Sequence, residues 1–235
     1  MSERATPSVA QVGLIGLFVT ALVTAQVTAS KLLGFELPFA LPLAGEMLVL
    51  PGAALAYALT FFASDCYSEL YGRTAATVVV NVGFVMNFVL LVLVWSTIAA
   101  PPAPPQAQSV DLAAFGNVLG SSTAIVVASL AAYVLSQNWD VFVFHWIRER
   151  TDGDHLWLRN IGSTATSQLL DTVVFVTVGF VVLQGLPPSE AVALIVGQYL
   201  FKLGVAVVDT PFVYAVVGAV RSREDGSTAS YSSGA

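Results

Sequence analysis

The sequence has few charges, a single cysteine and only two histidines. Only 10% of its 235 residues are Asp, Glu, Lys or Arg, whereas soluble domains carry roughly 25%. This scarcity rules out a soluble single-domain enzyme. With 9 basic and 15 acidic residues, the chain lacks the basic face that a nucleic-acid partner requires. Cys66 alone excludes an internal disulfide, and His145 and His155 are too few for a metal cluster, so we expect no metal and no cofactor.

The sequence contains several long stretches without a charged residue. No charged residue occurs in 5–30, 47–64, 74–110, 112–139 or 172–189, and 191–220 contains only Lys202 and Asp209. A helix of roughly 20 apolar residues crosses about 30 Å of hydrocarbon. The sequence therefore predicts an all-α, polytopic membrane protein in which residues 1–220 form one domain. Its six transmembrane helices are predicted at about 7–30, 47–66, 74–99, 117–146, 163–185 and 189–220.

Basic residues in the short connections predict the orientation in the membrane. Seven arginines fall on one side of the predicted bundle: Arg4, Arg73, Arg148, Arg150, Arg159, Arg221 and Arg223. Lys31 falls on the other side. Because cytoplasmic loops retain positive charge, both termini are predicted to be cytoplasmic. Residues 221–235, rich in Ser and Gly, are expected to form a disordered cytoplasmic tail.

The sixth predicted helix contains a proline, Pro211. A proline ring crowds the carbonyl four residues earlier and removes one hydrogen bond, so we expect a break between Gly204 and Pro211. Freed backbone groups inside a membrane are tolerated only where they line a cavity or meet protein. The break is therefore a candidate site, with a harmless kink as the equal alternative.

Polar side chains within the predicted helices are the candidate binding groups. A charge at the centre of a membrane helix costs on the order of 3 kcal/mol and usually faces a partner or a wet cavity. Asp65 and Glu69 end helix two on one face, while Gln198, Lys202 and Asp209 form one stripe of helix six. Two alternatives compete with binding. In the first, Asp65 and Glu69 are solvated at the membrane boundary or paired with Arg73. In the second, Lys202 forms a purely structural ion pair with Asp171 or Asp209.

Two consecutive helices carry the same short motif. Ser136-Gln137-x-x-Asp140 and Ser167-Gln168-x-x-Asp171 each continue to Val-Phe, at 143–144 and 174–175. Because these helices run in opposite directions, the two Gln/Asp pairs are expected to converge on one cavity, as in transporters with internal repeats. A chance match and an interfacial position for Asp140 are the alternatives.

Carboxylates and amides without a metal cluster suit recognition of a polar, planar solute better than catalysis. A guanine-like edge has N–H and amino donors beside a carbonyl acceptor. Asp or Glu accepts from the donors, while Gln, Asn or Lys donates to the carbonyl. Aromatic rings are expected to stack on such a solute, and the candidates are Tyr67, Phe175, Tyr199 and Phe212.

The ordered set of motifs from helix two to helix six resembles the queuosine precursor transporter family, which is grouped with the vitamin uptake transporters. The motifs are Asp65-Cys-Tyr-Ser-Glu69-Leu-Tyr-Gly72-Arg73, Ala128-Ser-Leu-Ala-Ala-Tyr133, Ser136-Gln137-x-x-Asp140, Phe144-His-Trp-Ile-Arg148, Leu156-Trp-Leu-Arg159-Asn160, Ser163-x3-Ser167-Gln168-x-x-Asp171 and Lys202-x6-Asp209-x-Pro211-x-x-Tyr214. One departure lies at the start of helix four, where members often have an Arg and this chain has Ser121 to Ile125.

The resemblance implies an importer of 7-deazaguanines, such as 7-cyano-7-deazaguanine, in the inner or plasma membrane, which supplies queuosine or archaeosine salvage in tRNA. The expected partners are this substrate and the lipid bilayer, with a homo-oligomer left open. The substrate-binding residues are expected to be Asp65, Glu69, Gln137, Asp140, Asn160, Gln168, Asp171, Lys202 and Asp209. Two alternatives are a membrane subunit that requires a separate ATPase and an intramembrane enzyme. The latter is disfavoured because no nucleophile–base pair stands out.

Overall fold

Membrane-length helices make up most of the molecule. The structure, a computed structural model, describes residues 6–151 and 155–232, except for the side chains of 156, 157, 159, 160 and 224–232. Five helical segments are long and apolar enough to cross a membrane: Val9–Thr28, Arg73–Ala99, Leu112–Arg150, Ile161–Val182 and Pro188–Arg223. These segments confirm the prediction of a mainly helical, polytopic membrane protein.

The bounds of the helices follow local sequence signals. The helices are α1 (Val9–Thr28), α2 (Ala54–Tyr71), α3 (Arg73–Ala99), α4 (Leu112–Gly120), α5 (Ser122–Arg150), α6 (Leu156–Val176) and α7 (Pro188–Ser232). Gly72 ends α2 at a φ of +88°, a left-handed conformation that glycine adopts without strain. The prolines at 101 and 102 follow the end of α3. Asp111 caps α4 by accepting a hydrogen bond from the amide of Ala114.

A β-hairpin corrects the all-α prediction. Strands β1 (Leu32–Leu41) and β2 (Gly45–Pro51) pair antiparallel, with Leu33 opposite Leu50. Helix two, predicted from about residue 47, begins instead at Ala54 as α2. Pro51 gives the physical reason, because it lacks an amide hydrogen and forces the residue before it towards an extended conformation. α2 is also not among the five membrane-length segments.

The irregular part of the helical structure follows α6 rather than lying in α7. Residues Thr177–Val182 form a π-helix, while α7 continues through Pro211 without the expected break. A proline removes one hydrogen bond, and membrane helices tolerate this loss without ending. The predicted fourth helix is divided at Ser121 into α4 and α5. α7 also covers residues 221–232, where we expected disorder, and 233–235 lie outside the described residues.

The chain divides into two compact units. The first comprises the described residues of 1–25, 54–90 and 202–235, and the second comprises 26–53 and the described residues of 91–201. In the first unit, Leu14 of α1 is buried with Cys66 and Tyr67 of α2. The second unit contains the hairpin, α4, α5, α6, the π-helix and the beginning of α7. Among its fully buried side chains are Ile125 and Leu194.

Candidate functional site

The two Ser-Gln-x-x-Asp motifs meet between α5 and α6 in the second unit. The hydroxyl of Ser136 donates to Oδ1 of Asp171 at 3.4 Å. The hydroxyl of Ser167 donates to Oδ1 of Asp140 at 3.2 Å. The serine of each motif therefore bonds the aspartate of the other. We call these two contacts the serine–aspartate pairs.

The antiparallel register of α5 and α6 produces this exchange. The same register continues eight residues away from the Ser136–Asp171 pair, where a Cβ added to Gly179 would lie 2.9 Å from the Cβ of Ala128. Small side chains allow membrane helices to approach closely. The small polar residues buried along these two helices are Ser122, Ser129 and Ser136 of α5 and Ser163, Ser167 and Thr172 of α6. The serine–aspartate pairs thus lie in a tightly packed helix contact.

Each serine of the pairs has two acceptors for one hydroxyl hydrogen. Ser136 also reaches the carbonyl of Tyr133 at 3.3 Å, and Ser167 reaches the carbonyl of Thr164 at 3.1 Å. The distances to the carboxylates, 3.4 and 3.2 Å, exceed the 2.5–3.0 Å typical of O–H···O hydrogen bonds. These two hydrogen bonds are therefore long, and an ionised carboxylate has further acceptor sites beyond the one that a serine uses.

The other residues predicted around the two motifs differ in their exposure to solvent. Asp140, Gln168 and Asp171 are half-buried, while Gln137 is exposed. Consecutive helical residues point about 100° apart, so Gln137 faces away from its buried neighbour Ser136. The side chain of Asn160 lies outside the described residues. The structure thus brings together both aspartates of the motifs but not both glutamines.

The remaining predicted residues lie in the first unit. Asp65 of α2 and Asp209 of α7 both belong to it, and Val213 and Val216 of α7 pack against the buried cluster that contains Cys66 and Tyr67 of α2. Lys202 lies half-buried on α7. The structure therefore brings α2 and α7 together at the residues that follow Asp65.

Glu69 has an arginine partner, although not the neighbouring Arg73. Its Oε2 lies 4.0 Å from a terminal nitrogen of Arg221, and its backbone carbonyl accepts a hydrogen bond from the same nitrogen at 2.9 Å. The two side chains are 66% and 58% exposed. An exposed ion pair of this kind contributes only about 0–1 kcal/mol. This geometry agrees with the alternative that Glu69 is a solvated boundary residue.

A set of buried polar groups lies outside the predicted substrate-binding residues. Gln26 is 1% exposed and Asn87 is fully buried, and neither atom of either amide has a hydrogen-bond partner among the described residues. The same is true, within those residues, of the Ser129 hydroxyl and of Oε1 of Gln198. A buried group without a partner costs about 1–3 kcal/mol. For Gln26 the available signal was an amide inside a charge-free helix, which a search for charges passes over, whereas Gln198 belongs to the polar stripe predicted for helix six.

The four aromatic candidates do not form one stacking surface. Tyr67 is 5% exposed, and its hydroxyl accepts a hydrogen bond from Gln11 at 3.1 Å. Phe175 is 7% exposed and packs edge-on against another ring at 5.7 Å. The Tyr199 hydroxyl donates to a backbone carbonyl of α6 at 3.2 Å, and Phe212 is exposed. Three of the four thus take part in packing or hydrogen bonding within the protein.

The fold and these polar groups define a multi-pass membrane protein whose carboxylates lie at helix contacts. The family model Vut_1, described as "Putative vitamin uptake transporter", matches residues 51–216. A protein of Bacillus subtilis (strain 168), named as a probable queuosine precursor transporter, is 32% identical over 173 residues, which cover 73% of each chain. No solved structure matches this chain. The chain belongs to the vitamin uptake transporter family and is a multi-pass protein of the cell membrane.

Proposed function

We propose that this protein imports 7-deazaguanine precursors of queuosine, or of archaeosine, across the cell membrane. The observation that carries this proposal is the 32% identity over 173 residues with a probable queuosine precursor transporter. Membership of a transporter family favours transport over catalysis, so the protein is proposed not to be an enzyme. The sequence has no Gly-x4-Gly-Lys-Ser/Thr loop, so transport does not use ATP hydrolysis by this chain.

The chemistry of the serine–aspartate pairs supports a guanine-like cargo. Asp140 and Asp171 are half-buried acceptors on facing helices, and the cargo has N–H and amino donors on one edge. Gln168 and Lys202 are donors suited to its carbonyl. We propose as substrate-binding residues the full predicted set of Asp65, Glu69, Gln137, Asp140, Asn160, Gln168, Asp171, Lys202 and Asp209. Their contributions are separable by mutation.

The proposed importer crosses the membrane six times with both termini in the cytoplasm. In this proposal, α2 adds a sixth crossing to the five membrane-length segments. At 18 residues, α2 is about 27 Å long at 1.5 Å per residue, close to the hydrocarbon thickness. An even number of crossings also keeps the seven arginines on the cytoplasmic side. A homo-oligomer is compatible with this arrangement.

The experiment that tests the function is uptake of labelled 7-cyano-7-deazaguanine by cells that cannot synthesise it. Wild type is expected to restore uptake and queuosine in tRNA, while Asp171→Asn and Lys202→Ala lose most of it. Asp111→Asn is the matched control, because Asp111 caps α4 outside the proposed site and Asn caps equally well.

The outcomes of this experiment test the identity of the cargo separately from the identity of the site residues. No uptake by wild type contradicts the proposed cargo. Full uptake by well-inserted Asp171→Asn and Lys202→Ala contradicts the site residues and leaves the cargo standing. Uptake that disappears when a separate ATPase is deleted favours the alternative of an ATPase-coupled subunit.

A further inference from the structure

Gln26 lies near the end of α1 with an amide that nothing in the described chain satisfies. Its side chain is 1% exposed, and neither Oε1 nor Nε2 has a hydrogen-bond partner among the described residues. A primary amide has two donor hydrogens and an acceptor oxygen, and burial removes the water that would satisfy them. A ligand that hydrogen bonds the amide in the loaded protein explains its retention at a buried position.

Gln198 lies in a second helix, α7. Its Oε1 atom is likewise buried, and it has no hydrogen-bond partner in the described part of the chain. Its two neighbours in sequence fix its position. A Cβ added to Gly197 would overlap the carbonyl oxygen of Val49 in β2, and Tyr199 donates to the carbonyl of Ala165 in α6 at 3.2 Å. Because successive helical residues turn by about 100°, Gln198 leaves α7 between β2 and α6.

Each glutamine lies within two residues of a helical residue that meets one short segment of the second unit, Val49–Gly52. At its far end, the Gly52 amide donates to the carbonyl of Lys31 at 2.6 Å, and a Cβ on Gly52 would overlap the carbonyl oxygen of Thr28. Thr28 is two residues beyond Gln26 in α1. Three peptide steps span at most about 11 Å. The segment is therefore short enough for one small molecule to lie beside it.

The middle of this non-helical segment is buried. Leu50 is 2% exposed, and Pro51 is among the fully buried side chains. In a membrane protein, non-helical backbone at membrane depth is tolerated where it is covered by protein or lines a cavity. The two amide atoms of Gln26 and Oε1 of Gln198 are therefore buried donor and acceptor atoms that a polar ligand would satisfy.

We propose that Gln26 and Gln198 bind the transported heterocycle directly, with their amides meeting donor and acceptor groups of the ring that the serine–aspartate pairs do not contact. A nitrogen heterocycle presents N–H donors and lone-pair acceptors, and a primary amide presents the complementary acceptor and donor. The identity of the cargo in this inference rests on the proposed function. Gln26 lies outside the residues 51–216 that match the family model, so the inference concerns a residue that the family match does not cover.

The test replaces each amide by a nearly isosteric apolar side chain in the full chain. Gln26→Met and Gln198→Met are purified in detergent, and their Tm without ligand and their Kd for 7-cyano-7-deazaguanine are measured. Binding is expected to weaken at least tenfold in each variant, while the Tm without ligand stays unchanged or rises. Gln11→Met is the matched control, because the Gln11 amide has a partner in Tyr67 at 3.1 Å. This control should lose Tm and keep the wild-type Kd.

Each outcome decides the inference. Binding by wild type that both variants retain overturns the role of the two glutamines and leaves the proposed function intact. A fall in Tm as large as that of Gln11→Met assigns the amide a structural role and overturns the inference for that residue, whatever the Kd. Absence of binding by wild type overturns the proposed function together with this inference.

Discussion

The Ser167 hydroxyl donates to the Asp140 carboxylate at 3.2 Å, and this bond has a counterpart between Ser136 and Asp171. The two serines are separated by the same number of residues as the two aspartates. When a two-fold axis relates two antiparallel helices, a contact from the first helix to the second is repeated by the equivalent residues from the second helix to the first. The geometry thus supports the hypothesis of an internal duplication, which stays a prediction.

A double-mutant cycle on Ser167→Ala and Asp140→Asn should reveal this bond. We expect a coupling energy of about 0.5–1.5 kcal/mol, because the two changes remove the same hydrogen bond. The measurement is the free energy of unfolding in detergent. Ser64→Ala is the control partner, since the Ser64 hydroxyl donates to the carbonyl of Phe61 and its effect should add to that of Asp140→Asn. Additivity of the first pair would contradict the bond.

The contact between Gly179 and Ala128 gives a test of the α5–α6 packing. Gly179→Ala places a methyl group 2.9 Å from the Cβ of Ala128, and overpacking of this kind typically costs about 1–3 kcal/mol. Ala128→Gly in the same chain should restore stability by making room. Gly16→Ala is the control, because nothing lies within 4 Å of its added Cβ. If the double variant has the Tm of Gly179→Ala alone, the two residues do not meet.

The helices that the sequence predicted best are those whose limits are marked by charged residues or by proline. α1 is Val9–Thr28 where 7–30 was predicted, and α3 is Arg73–Ala99 where 74–99 was predicted. The hairpin was missed because residues 47–64 are as free of charge as the helices are. Pro51 was the local signal, and a hydropathy argument does not weigh it.

The sequence predicted the carboxylates of the candidate site, but it did not predict the contacts that the neutral side chains make there. Asp140 and Asp171 stand out because a charge in a membrane helix is costly. Ser136 and Ser167 are ordinary residues until the register of α5 and α6 places each one opposite a carboxylate. Gln26 is equally inconspicuous, since its missing partner is a property of the packed structure. Such contacts depend on helix register, which composition does not encode.

Gly197 should be the glycine of α7 that tolerates substitution least. A Cβ on Gly197 would overlap the backbone oxygen of Val49, and backbone atoms cannot rotate aside as a side chain does. We expect Gly197→Ala to lower Tm more than Gly179→Ala and to abolish uptake. Gly204→Ala should leave both unchanged, because nothing lies within 4 Å of its added Cβ. A normal Tm for Gly197→Ala would contradict the contact between β2 and α7.

The orientation of the chain can be read with a membrane-impermeant maleimide, because the only cysteine, Cys66, is buried. On a Cys66→Ala background, Gln106→Cys should react in intact cells, whereas Thr6→Cys and Ser222→Cys should react only after permeabilisation. All three positions are exposed, so a lack of reaction reports the membrane rather than burial. If α2 does not cross the membrane, five crossings put the termini on opposite sides, and exactly one of the two terminal positions reacts in intact cells.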